Sequence, residues 1–115
     1  MIYHKTFMGG RVDLEHIGRY PIVEHEFEVL DGCDAKDFSG YDGIFFAVFD
    51  KQGGKLLFTI DMRADDASPT DNFIYLSDDG QIAALRGPKE YWHECYATDG
   101  PVSEMIFQGV SLKNP

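Results

Sequence analysis

Cysteine, positive charge and long apolar runs are all scarce in this chain of 115 residues. Its two cysteines, Cys33 and Cys95, are too few for a disulfide framework, and a domain of this length is held by its core instead. Both are read as reduced thiols. Ten Lys and Arg stand against twenty Asp and Glu, a net charge of −10, so the field around the fold repels phosphate backbones and acidic lipid surfaces alike. Neither nucleic acid nor membrane is expected as a partner. No apolar run approaches the roughly 20 residues that a membrane-spanning helix needs. The opening stretch from Met1 to Met8 has no basic start followed by an apolar segment and a small-residue cleavage site, which predicts cytoplasmic synthesis without export.

What is present is globular composition: 43% hydrophobic, 14% aromatic and 26% charged. A mass of 13.0 kDa supports one core, so residues 1–115 are expected to form a single domain. Clusters of Gly, Asp, Asn and Pro recur at intervals of about ten residues, the punctuation of small all-β folds. Strands are predicted over 23–30, 43–50, 55–60, 72–76, 81–85, 91–97 and 104–112, with further candidates at 2–7 and 11–17. Hairpin turns are predicted at Asp50-Lys51-Gln52-Gly53-Gly54 and Ser77-Asp78-Asp79-Gly80, a long loop over 63–71, and short helical turns at 34–38 and 87–90. The expected fold is an all-β, immunoglobulin-like antiparallel β-sandwich; the alternative is a small β-barrel.

Within residues 23–29, Val23, His25, Phe27 and Val29 share one face while Glu24, Glu26 and Glu28 take the other, the signature of a strand with one dry side. Residues 43–49 break that rule. Ile44, Phe46 and Val48 lie on one side and Phe45, Ala47 and Phe49 on the other, so neither face is polar. Either the N-terminal segment or the loop over 63–71 covers the outer side, or another subunit does. Phe45, Phe49, Phe58 and Phe107 are the candidate interface residues, and burying Phe45 and Phe49 would contribute about 1.5–3 kcal/mol each.

Chemistry-bearing motifs are sparse. His93 and Cys95 would share a strand face within reach of one transition metal, yet paired Cys or His spacing is missing, and no metal or other cofactor is expected. The turns Asp31-Gly32-Cys33-Asp34 and Ser77-Asp78-Asp79-Gly80 lack the calcium-loop ladder. A Cys and His nucleophilic pair drawn from Cys33 or Cys95 with His4, His16, His25 or His93 has no flanking motif. Gly9-Gly10 and Gly53-Gly54 do not make a phosphate loop. Tyr91, Trp92 and Tyr96 form a candidate aromatic surface for a ligand or a partner.

Several segments resemble a known family, the small β-sandwich structural proteins of tailed bacteriophages and prophages, of tail, neck or baseplate type. Asp37-Phe38-Ser39-Gly40-Tyr41 resembles its Asp-Leu-Thr-Gly-Tyr lead-in, and Val48 to Leu56 its first hairpin. Asp79-Gly80-Gln81-Ile82 resembles its second turn, Tyr91 to Gly100 its aromatic strand ending in Thr-Asp-Gly, and Met105 to Leu112 its closing strand. The chain departs from the pattern at His93 and Glu94, where the family carries Tyr-Asp. The resemblance, spanning about residues 37–112, implies a non-enzymatic adaptor built into a virion or prophage particle, acting through contacts with itself or neighbouring subunits. It brings no catalytic residues. Two alternatives stand beside it: a carbohydrate-binding or accessory sandwich using the surface aromatics, and a small Cys/His enzyme.

Overall fold

Alternating and β-branched runs make ten strands in the computed structural model, which describes residues 2–16, 23–64, 72–78 and 80–114. They are β1 (Ile2–Phe7), β2 (Gly10–Arg11), β3 (Leu14–His16), β4 (Val23–Asp31), β5 (Asp34–Ala35), β6 (Gly43–Phe49), β7 (Leu56–Ala64), β8 (Phe73–Asp78), β9 (Lys89–Asp99) and β10 (Val102–Lys113). There is no helix among the described residues. Two sheets pack face to face as a β-sandwich, with β1, β4, β5 and β8 in the first and β2, β3, β6, β9 and β10 in the second.

β7 joins the layers. Its residues from Leu56 to Met62 pair with β6, while Arg63 and Ala64 pair with β8. The N-terminal segment joins them at the opposite side, with β1 on β4 in the first sheet and β2 and β3 on β10 in the second. Those three pairings are parallel, unlike the antiparallel remainder, because the segment crosses from one sheet to the other instead of returning through a hairpin.

The first hairpin forms as expected: Asp50 N–H donates to Lys55 O at 3.0 Å, and the Asp50 carboxylate accepts from Lys55 N–H at 2.7 Å. Several local expectations are corrected. Residues 34–38 are not a helical turn; Asp34–Ala35 pairs back on Leu30 and Asp31 across a two-residue reversal in which Gly32 takes the left-handed φ of 65°. Residues 81–85 are a turn, closed by Ala84 N–H to Gly80 O at 3.0 Å, and Ile82 drops into the core as a plug, so the second predicted hairpin does not form. Residues 87–90 are not helical either, since Lys89 and Glu90 already belong to β9. The loop predicted over 63–71 begins later, because Arg63 and Ala64 finish β7; its remainder lies outside the described residues.

The core sits between the sheets around Phe27, Phe46, Ile74, Leu76, Ile106 and Phe107, all fully buried. β10 manages two consecutive inward residues, Ile106 and Phe107, because its pairing with β9 carries an irregularity between Met105 and Phe107. Further along β10, Gly109 lets the N-terminal segment pass close: a Cβ there would stand 2.1 Å from the Val12 carbonyl oxygen. Gly109→Ala is therefore expected to lower stability by about 1–3 kcal/mol, measured by urea denaturation. An unchanged midpoint would contradict that close approach.

Candidate functional site

β6 sits inside the second sheet between β7 and β9, and its alternation directs Ile44, Phe46 and Val48 into the core and Phe45, Ala47 and Phe49 to the outer side. Cross-strand register arranges that outer side in three rows. Phe45 lies between Asp61 and Tyr96, Ala47 between Thr59 and Glu94, and Phe49 between Leu56 and Trp92. On the far flank of β9, Met105 stands opposite Tyr96, Gln108 opposite Glu94 and Val110 opposite Trp92.

Contacts within the rows give this face its shape. The Phe45 and Tyr96 rings stack with centroids 5.4 Å apart. Glu94 sits between the two aromatic rows and accepts from Trp92 Nε1–H at 3.0 Å and from the Tyr96 hydroxyl at 2.5 Å. Burial and the bond to Glu94 push the Tyr96 phenol up to about 12, so it remains a donor at neutral pH. The Arg11 guanidinium lies 5.7 Å above the Trp92 ring. Trp92 is only 5% exposed, whereas Phe45, Phe49 and Tyr96 are half-buried and Leu56 is 48% exposed. The result is an amphipathic sheet face whose aromatics are fixed by their neighbours and only partly covered. The described N-terminal strands pair with β4 and β10 at the sheet edges and not with β6.

Two of the four candidate interface residues are on this face and two are not. Phe58 pairs with Val48 and packs against the core, and Phe107 is fully buried, stacking on Phe27 with centroids 4.6 Å apart. The apolar run Met105-Ile106-Phe107 makes Phe107 a candidate for an interface, but the β10 irregularity turns it inward. The aromatic trio also divides. Trp92 and Tyr96 face outward, but Tyr91, an odd number of residues away, joins the core cluster and donates its hydroxyl to Arg86 O at 2.9 Å.

A second group, which sequence reading did not assemble, contains all four histidines. His4 Nε2 and His25 Nδ1 are 3.0 Å apart, and the His16 ring meets His25 edge-on with centroids 5.7 Å apart. His16 Nε2 is 3.3 Å from Ser111 Oγ; Ser111 Oγ is 2.6 Å from His93 Nδ1; His93 Nε2 is 2.6 Å from the Val12 carbonyl. Burial lowers His4 and lowers His16, His25 and His93 to about 4 each, so the rings are neutral at neutral pH. One signal was legible: alternation placed His25 on the dry face of its strand.

His93 and Cys95 do share the inward side of β9, but both His93 nitrogens are engaged and Cys95 Sγ lies 3.6 Å from Met62 Sδ. Burial pushes the Cys95 thiol up, the opposite of an activated nucleophile. Cys33 is exposed, and both thiols are free. Among the described residues, no group of three or more His, Cys, Asp and Glu is placed to hold a metal ion, and no helix is long and apolar enough to cross a membrane.

No protein family matches this chain by sequence, and no curated protein matches it. Among solved structures, the fold is similar to that of the N-terminal domain of phage TP901-1 ORF48. The TM-score is 0.56 with 14% identity, covering 100% of both chains. At that identity the likeness is one of fold.

Proposed function

We propose that this chain is a non-enzymatic structural component of a phage-like particle and that it assembles through the outer face of its second sheet, with Phe45 and Phe49 as anchors flanked by Tyr96 and Trp92. The observation that carries the reading is the doubly apolar β6, whose outward phenylalanines stay half-buried after the chain has folded. A full-length fold likeness to a phage protein domain supports the particle context. Rings held by stacking and by Glu94 lose little freedom on contact, which suits a permanent interface. The sugar-stacking alternative is less well supported: the Trp92 indole is covered and its N–H is taken by Glu94. The groove of about 420 Å³ at that flank is lined by Arg11, Asp13, Leu14, Glu15, Glu90, Val110 and Leu112, none of them aromatic.

Light scattering across a concentration series tests the assembly. The expected mass rises above the 13.0 kDa of one chain. Phe45→Asp or Phe49→Asp is expected to weaken association by about 10- to 100-fold, from the loss of about 1.5–3 kcal/mol per ring, while circular dichroism stays that of a folded β protein. A wild-type chain that remains monomeric at every concentration would overturn self-assembly through this face.

A further inference from the structure

The four histidines divide evenly across one junction. His4 on β1 and His16 on β3 belong to the N-terminal segment, residues 2–16, whereas His25 on β4 and His93 on β9 belong to the sandwich that this segment laces together. Four contacts in the group span that junction: His4 with His25, His16 with His25, His16 with Ser111, and the Val12 carbonyl with His93. The link from Ser111 to His93 then joins β10 to β9 behind it.

The hydrogens can be placed from the partners. A carbonyl only accepts, so His93 Nε2–H donates to Val12 O; the neutral ring then accepts at Nδ1 from the Ser111 hydroxyl, and His16 Nε2–H donates to Ser111 Oγ. Neutral His16 is left with a bare Nδ1 that is buried and, among the described residues, has no hydrogen-bond partner. Every link is thus made by an uncharged ring. A further proton on His93 sets a second N–H against Ser111, which must turn its own hydrogen away, and one on His16 creates a buried cation with an unpaired donor.

The surrounding charges mostly oppose such protonation. His93 and Lys113 oppose charge on His16; His16 and His4 oppose it on His25; His25 and Arg11 oppose it on His93. Asp13 favours a charged His93, but its carboxylate is already bound by Arg11 and by Val110 N–H at 2.9 Å. Protons taken up here put like charges on both sides of one seam.

We propose that the histidine chain is an acid-operated latch: on acidification the charged rings repel across the seam and the segment 2–16 leaves the sandwich, uncovering the edges of β4 and β10 while the β6–β9–β10 layer remains paired. The latch uses the edges and the interior and does not depend on assembly through the outer face. Histidine clusters that charge below neutral pH act this way when they sit on a separable element, and a segment whose strands are each paired along one side only, on β4 or on β10, is separable.

Amide hydrogen exchange of the wild-type protein from pH about 7.5 down to about 4, expressed as protection factors, tests the latch. The reporters are Met8 N–H on Leu30 O at 2.8 Å, Gly9 N–H on Ile106 O at 2.9 Å and Val12 N–H on Gln108 O at 3.0 Å. Their protection is expected to drop about tenfold or more at a pH where amides between β6 and β9 are still protected. Loss of both sets at the same pH, or reporters that stay protected to the acid end, would overturn the latch. His4→Phe keeps a ring against Phe27 and removes one titrating group, so the reporters should open at lower pH; an unmoved midpoint also counts against it.

Discussion

Phe27→Ala is expected to remove about 3–5 kcal/mol of folding free energy, a large part of what holds a domain of this size. Phe27 is fully buried on β4, stacked on Phe107 of β10 with centroids 4.6 Å apart and on His4 of β1 with centroids 5.0 Å apart. It therefore ties the first sheet to the second and the N-terminal strand to both. Truncation loses the transfer energy of the ring and leaves a cavity that strands paired on both flanks cannot collapse around. Phe7→Ala, at a ring that is 54% exposed on an edge strand, should change stability by no more than about 0.5 kcal/mol. Urea denaturation of the two variants checks the contrast. Equal losses would mean that the sheets are not packed through Phe27.

The second large effect is on acid stability. His16, His25 and His93 are each lowered by burial to about 4, against an ordinary value of 6.5. Between those values the unfolded chain binds protons that the folded chain refuses, so stability falls as pH falls. The contribution of the neutral rings is fully present above about 6.5 and is lost as pH drops toward about 4, with a slope of about 1.4 kcal/mol per pH unit for each histidine that charges on unfolding. Part of this uptake accompanies release of the N-terminal segment, which precedes global unfolding. Unfolding free energies from urea titrations at closely spaced pH values give the slope directly. A flat profile from pH about 7 to about 5 would mean that these rings are solvated in the native state.

Both effects come from the same construction. An N-terminal segment that crosses between sheets carries two histidines to two others and lays Val12 against Gly109. A small sandwich gains interior by using that segment to cover its sheet edges, and the polar groups it brings inside must then be satisfied. Ser111 shows the outcome, lying within hydrogen-bond reach of histidines on two strands while almost fully buried.

The strand segments were largely legible, since alternation in 23–29 and the apolar runs in 43–50, 91–97 and 104–112 correspond to β4, β6, β9 and β10. The first hairpin was legible too, because Asp50 and Gly53-Gly54 carry local turn chemistry. Residues 81–85 misled because a short apolar run bounded by turn residues looks the same whether it is a strand or a plug for the core. Phe58 and Phe107 stand as candidate interface residues on sequence because period two defines two faces without saying which is inside when both are apolar.

The amino-acid order by itself determined an all-β chain, the reversal at residues 50–54 and the pairing of residues onto common strand faces, since these depend on neighbours within a few positions. Tertiary structure alone decided that Phe45 and Phe49 point out while Phe107 points in, and that histidines at 4, 16, 25 and 93 meet. Those outcomes depend on the register between strands far apart in the chain and on the crossing of the N-terminal segment, and both are set by hydrogen-bond ladders and core closure rather than by local preference.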